Sequence, residues 1–399
     1  MSKFKQRVSL AGSAGVYGWL LLAEPIINLL TARRRDLDAY ATVDTSAAIT
    51  IAFYLIIFLV VLFKKDKRGN TLRWTVFFQT PMMWFFIYTL YGFISMLWSV
   101  NFQLTGYRAF ECLTMMLLMM KVWSCLFSSK DTSKVINWCL LYVSVQVICQ
   151  IVSVLKWSSN ILVILSSSQF VSTTFFYMAL YHPHKRLIYY LIIVMSILSG
   201  STVAYIGMVI GLVSLYFNKS KNKFPIFVLT LLGLILVSTI GFQEVIKETI
   251  FYDKETISWE HTSGRNQIME IVIQALDQQP LGYGFFAGEP YVLYNSFSGA
   301  INGHNSFFSA ALGLGYVGII ILLFFFIGMF RVTFSNIIPH EVRRSLSGCF
   351  FVGFLHCMGN PGIGSRIYGS WMPVMVLFTM ICSFYVYNRK YHNAHNLGH

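Results

Sequence analysis

Arg265 and His304 are the residues of this chain whose type and setting point to chemistry. Arg265 stands in "HTSGRNQIMEIVIQALDQQPLGYGF", residues 261–285, just after Gly264 and in the first turn of a segment with helical spacing. A cation there sits on the positive end of the helix dipole, which is unfavourable by about 0.3–1 kcal/mol when exposed. The placement makes sense if the free N–H groups of that turn and the guanidinium converge on a bound anion, because arginine grips phosphate oxygens through two parallel hydrogen bonds. The structural alternative is an ion pair with Glu260 or Asp253. His304 stands between Gly303 and Asn305 at the head of "GHNSFFSAALGLGYVGII". A neutral imidazole in that place could take a proton from a hydroxyl, and the alternative is an interfacial histidine that only satisfies hydrogen bonds.

The elements that must position these two residues are set by composition. The 399 residues are 56% hydrophobic and 12% charged, with mean hydropathy +0.62. Soluble domains carry roughly 25% charged residues and seldom contain repeated apolar runs of about 18 residues, so the chain reads as an integral membrane protein. Apolar segments fall near 8–30, 46–63, 74–97, 107–127, 135–155, 161–181, 187–199, 201–217, 224–242, 305–330, 345–358 and 371–388. This predicts an all-α, polytopic bundle of about twelve transmembrane helices, of which the pair within 187–217 is short for a bilayer of about 30 Å.

With the N-terminus inside, twenty of the thirty lysines and arginines fall on the cytoplasmic segments and nine on the other face, and Lys121 lies within a span. Short basic segments resist translocation, so both termini are expected in the cytoplasm; Arg33, Arg34 and Arg35 in the first loop go against the pattern. The formal charge of +14 follows largely from this bias. It suits an anionic leaflet and gives no argument for nucleic acid. The seven cysteines fall within or at the ends of spans, with no zinc spacing and no disulfide framework. The first apolar stretch carries Glu24 and Pro25, lacks a small-residue cleavage site, and is expected to be retained.

One connection is long. Residues 243–303 are placed by the span count on the non-cytoplasmic face and hold eight of the sixteen acidic residues. Within them Thr262 or Ser263 can cap a helix, and Ile268, Ile271, Val272, Ala275 and Leu276 recur at helical spacing until Pro280. That predicts an amphipathic helix near 264–279, lying against the bundle or the bilayer surface. Gly282 and Gly284 in "PLGYGF" permit tight turns, and a polar, tyrosine-bearing stretch runs on to Gly303. Gly313, Gly315 and Gly318 suggest a break or a close helix contact in the next span. The layout is therefore a bundle of about nine spans over 1–242, an extracytoplasmic loop over 243–303, C-terminal spans over 304–388 and a cytoplasmic tail over 389–399. No ATP or nucleotide sugar exists on the outer face, so a transfer reaction there needs a substrate already activated, for which a diphosphate-linked lipid is the membrane-borne candidate.

These residues carry a resemblance. "SGRNQIMEIVIQALDQQPLGYGF" followed by "GHNSFFSAALGLGYVGII" resembles the pattern of the bacterial O-antigen ligase and O-antigen or exopolysaccharide polymerase superfamily: a Gly-Arg helix start, a Pro then Gly-x-Gly turn, and a His-Asn opening a glycine-containing span. "SMLWSVNFQLTGYRAFE" and "LSGSTVAYIGMVIGL" are similar to further family segments, so the resemblance runs in order over about 95–330. It implies a metal-independent, cofactor-free glycan transferase of the GT-C kind in the bacterial inner membrane, working at the periplasmic face in cell-envelope and lipopolysaccharide biosynthesis. Carried over, Arg265 holds the diphosphate of an undecaprenyl-linked oligosaccharide, and His304 acts as base on, or orients, the acceptor hydroxyl. The acceptor is a growing glycan, or lipid A-core in a ligase, and a partner that sets chain length is implied.

The chain departs from the family pattern in two places. "SGSTVAY" has no arginine where ligases often carry one, which leans toward a polymerase, and "AALGLG" has no Glu after His-Asn. Arg108 or Arg366 could supply the missing charge at the diphosphate; the alternatives are an i,i+3 ion pair between Arg108 and Glu111 and a headgroup-level anchor at Arg366. From other classes, a lipid-linked oligosaccharide transporter would use Glu24, Glu111 and Lys121, but the first half shows no counterpart of the long loop. A cell-wall polymerase with a loop carboxylate as its catalytic group is a lesser alternative.

Overall fold

The computed structural model describes residues 15–31, 45–64, 74–127, 132–157, 265–296, 305–359, 363 and 371–396, and every element among them is helical. The segments expected to span within 161–242 lie outside the described residues, as do Gly264, His304 and Arg366. The helices are α1 (Gly15–Thr31), α2 (Thr45–Phe63), α3 (Met82–Ile94), α4 (Phe102–Phe127), α5 (Thr132–Trp157), α6 (Arg265–Gln278), α7 (Gly288–Ser296), α8 (Ser306–Thr333), α9 (His340–Gly359) and α10 (Trp371–Asn396). Among the described residues, three helices are long and apolar enough to cross a membrane: α2, α4 over Phe102–Leu126, and α8.

Burial separates inner from outer helices. α4 is buried along most of its length and packs against α1, α2, α3, α5 and α10; α8 packs against α3, α6, α7, α9 and α10. α2 buries Tyr54, Ile57 and Val61 and leaves Leu55, Ile56, Leu59 and Leu62 exposed, the arrangement of a helix that faces lipid. α8 likewise buries Leu322, Phe325, Phe326 and Met329 and turns out a row of Tyr316, Ile320, Phe324 and Ile327. Aromatic edges knit its inner face to its neighbours, with Phe378 of α10 at 5.7 Å from Phe325 and Phe354 of α9 at 5.1 Å from Phe326. Between α4 and α10 the Trp123 indole donates to Thr379 Oγ1 at 2.7 Å.

The 74–97 segment expected as one span is interrupted. A 3₁₀ turn, Trp74–Gln79, ends at Thr80 and Pro81, and α3 begins at Met82. Proline has no N–H to continue the preceding turn but starts a helix well. The Thr80 hydroxyl donates to Phe77 O at 2.5 Å and accepts from Met82 N at 3.3 Å, which covers the break. A second 3₁₀ turn, Ser95–Leu97, closes α3, and Asn101 Oδ1 caps α4 by accepting from Leu104 N at 3.0 Å. α7 was not expected: it occupies part of the stretch described from sequence only as polar and tyrosine-bearing.

The break expected in α8 falls at Gly315, whose φ of 65° and ψ of −155° are not helical. There the backbone exchanges partners with the "PLGYGF" turn. Tyr316 N donates to Pro280 O at 3.1 Å, while the Leu312 and Gly313 carbonyls accept from Tyr283 N and Gly284 N at 2.8 and 2.9 Å. Non-helical backbone inside a membrane bundle persists only where protein groups satisfy it, and these three bonds do so. A Cβ on Gly315 would overlap Pro280 O, and one on Gly284, at φ 107°, would overlap Ser99 Oγ. Gly315→Ala is therefore expected to destabilise the fold by at least about 2 kcal/mol, read as a lowered thermal midpoint in detergent relative to the neighbouring Ala311→Gly.

Candidate active site

The "PLGYGF" turn is held from two sides. On one side lies the α8 break; on the other lies the α3–α4 corner, residues 95–105. From that corner the Trp98 indole N–H donates to Leu281 O at 3.2 Å and Val100 N donates to Tyr283 O at 3.0 Å. Ser95 Oγ accepts from Phe285 N at 3.1 Å, and Thr105 Oγ1 donates to Phe285 O at 3.0 Å. Ser99 Oγ and Thr105 Oγ1 share a hydrogen bond of 2.7 Å. Every backbone group of the turn named here thus has a partner, as buried turns require.

From the turn the chain climbs directly into α7. Ala287 N and Gly288 N donate to Gly284 O, and Phe286 adopts φ 58°, a conformation that non-glycine residues rarely take. The Phe285 and Phe286 rings meet edge to face at 4.6 Å, and Tyr88 of α3 meets Phe285 at 5.5 Å. α6 lays Ile268, Val272, Ala275 and Leu276 against Val292 and Leu293 of α7 and Ala311 and Leu312 of α8. The Tyr283 hydroxyl donates to Ala275 O at 3.3 Å, and partial burial raises this phenol's pKa from its usual value.

Glu289, in the first turn of α7, is 3% exposed, and its Oε1 accepts from Ser309 Oγ at 2.8 Å. The same hydroxyl lies 3.1 Å from Asn305 O, so the carboxylate stands within two hydrogen-bond lengths of the start of α8. Asn305 caps that helix, its Oδ1 accepting from Phe307 N at 2.7 Å. The Tyr88 hydroxyl is buried without a hydrogen bond among the described residues.

Of the residues singled out in the sequence, Arg265 is the first residue of α6, and its side chain lies outside what is described. Gly264, His304 and Arg366 lie outside the described residues altogether. Gly282 and Gly284 form the turn and Asn305 the cap. Arg108 pairs with Glu111 at 2.7 Å, the structural alternative weighed above, and its guanidinium lies 5.2 Å from the Tyr107 ring centre. α6 and α8, which carry residue 265 and follow residue 304, belong to one packed unit.

Sequence reasoning missed Glu289. Its signal was "GEP": an acid in a helix's first turn beside a proline suited to that turn, five residues beyond a Gly-x-Gly. Ser95, Trp98, Ser99 and Thr105 were quoted in a motif without a role; the structure gives them one as supports of the turn.

Residues 187–323 match the family model described as O-antigen ligase. That range takes in α6, the turn, α7 and α8 as far as Leu323, and the α3–α4 corner that braces the turn lies outside it. No curated protein matches the chain. The match supports assignment to the O-antigen ligase and polymerase family, whose members are integral membrane proteins, and with it a ligase- or polymerase-type glycosyl transfer.

Removing the hydrogen-bond acceptor at Glu289 should be felt in folding. Glu289→Gln keeps an acceptor for Ser309 and is expected to melt close to the parent. Glu289→Ala removes it and is expected to lose about 1–3 kcal/mol, measured by thermal midpoints of the two variants in the same detergent.

Proposed function

We propose that the chain is an inner-membrane polymerase that transfers glycan from an undecaprenyl-diphosphate-linked donor to the hydroxyl of an acceptor glycan at the periplasmic face. One observation carries this reading: the turn, α6 and the start of α8, quoted for the family resemblance, form one packed unit braced by a third quoted segment, the α3–α4 corner. The reading includes about twelve spans, both termini in the cytoplasm, and the loop over 243–303 between the two groups of spans.

In this mechanism the free N–H groups of the first turn of α6 and the Arg265 guanidinium hold the donor diphosphate, where negative charge grows as the glycosidic bond breaks. His304 takes the proton of the acceptor hydroxyl, or orients it, and direct displacement inverts the anomeric carbon. Glu289, through Ser309, fixes the backbone that immediately follows His304. Binding energy and charge stabilisation suffice for a donor already activated as a diphosphate, so no metal or cofactor is assigned. Arg366 remains a second candidate for the diphosphate, and Arg108, paired with Glu111 through one guanidinium nitrogen, is a third.

A ligase acting on lipid A-core is the second reading, favoured by the description of the matched model. The absence of an arginine from "SGSTVAY" favours the polymerase. Membranes of a deletion strain separate them: carrier lipid bearing single repeat units marks a lost polymerase, and long unattached chains mark a lost ligase.

Arg265→Ala is expected to cut transfer about a hundredfold or more, and Arg265→Lys to be impaired too, since a point charge does not replace the planar fork. Full activity in the lysine variant removes the bidentate role. His304→Ala should insert and purify normally yet lose activity in a lipid-linked glycan assay; loss of folding instead marks a structural histidine.

A further inference from the structure

α6 carries two apolar stripes. One, Ile268–Val272–Ala275–Leu276, is buried against α7 and α8. Beside it Met269 and Ile273, four residues apart, are 46% and 51% exposed. Gln267, Glu270, Gln274, Asp277 and Gln278 fill the remaining exposed side. A loop helix that only packs on a bundle in water has no use for a second stripe, although single exposed apolar residues are common.

Continuity decides what this stripe meets. Leu281, also exposed, follows Pro280, whose carbonyl accepts from Tyr316 N; Tyr316 begins the outward row of α8 that continues through Ile320, Phe324 and Ile327. On the other side Leu281 O accepts from the Trp98 indole, next to exposed Leu97, Val100 and Phe102. An apolar margin thus runs from a membrane-crossing helix, past Leu281, onto the flank of α6. Trp98 sits at its border with its N–H satisfied and part of its ring exposed, as tryptophans at the headgroup level do. Met269, Ile273, Leu281 and the exposed corner residues carry no charge, while Glu270 and Asp277 lie on the polar side of α6.

We propose that the Met269–Ile273 flank of α6, continued by Leu281, is seated in the adjoining membrane leaflet, with lipid as its partner and the polar side of α6 facing water. Residue 265, four before Met269, then begins the helix at the depth of the lipid phosphates. That last consequence alone leans on the transfer reading, because it explains how the first turn of α6 meets a diphosphate that never leaves the bilayer.

The test uses the full chain in lipid nanodiscs of phosphatidylethanolamine and phosphatidylglycerol, with nitroxide labels at Met269→Cys and Ile273→Cys. Gln267→Cys and Gln274→Cys serve as polar-side controls and the labelled parent as blank. Collision with oxygen, which concentrates in lipid, is expected to exceed collision with a water-soluble nickel chelate at 269 and 273, with the ratio reversed at 267 and 274. Chelate access equal at all four positions overturns the proposal. Labels at 269 and 273 that neither reagent reaches also overturn it, since protein then covers the flank. So does loss of oxygen access at 269 and 273 on adding farnesyl diphosphate, which would make the flank an isoprenoid site. None of these outcomes depends on activity, so a failed Arg265 experiment and a failed leaflet contact remain separate results.

Discussion

The exchange of backbone hydrogen bonds at Gly315 is the constraint on which the packing around the 280–284 turn depends. In an unbroken helix Tyr316 N would bond Leu312 O; here each finds its partner in the 280–284 turn instead. The turn cannot leave without stranding both, and a stranded amide in a water-poor interior costs several kcal/mol. α8 is thereby committed to carrying the turn, and the turn fixes where α6 ends and α7 begins. The corner from Ser95 to Thr105 closes the arrangement from the opposite side through four hydrogen bonds. Residues 280–284, which look in sequence like part of a loop between two spans, are built onto α8.

Much of this was legible in the residues, and what was not has identifiable causes. The helix near 264–279 is Arg265–Gln278 because a 3.6-residue apolar period ending in proline leaves little choice. The break in α8 could be expected from three glycines in a row of apolar residues, but its partner could not, because backbone-to-backbone pairing leaves no trace in side-chain types. α7 escaped because its nine residues mix aromatic and polar side chains with little periodicity. Pro81 divided a segment that hydropathy alone runs together, since hydropathy counts apolar surface and ignores the missing N–H. For the candidate site the glycines and the cap at Asn305 were legible. Glu289 was not, because a buried acid whose named donor is a hydroxyl looks, in sequence, like any other loop acid.

The N-terminal helices hold their own polar groups by a different means. Glu24 of α1 accepts from Asn28 Nδ2 at 2.5 Å and from the Tyr142 hydroxyl of α5 at 3.4 Å, and Arg108 and Glu111 neutralise each other within α4. Ionisable groups in a bilayer are tolerated when they face the bundle and find partners there. The Arg108 guanidinium, paired with Glu111 at 2.7 Å, is thereby held along its own helix.

The hydrogen bonds that join the α3–α4 corner to the turn link residues 180 to 190 apart in sequence. During synthesis the corner is inserted long before its partners exist, and Ser95, Trp98 and Thr105 wait with these bonds unmade. The turn is thus a late-closing latch: the N-terminal helices can pack among themselves early, but the corner, the turn and the break in α8 lock together only when α8 arrives.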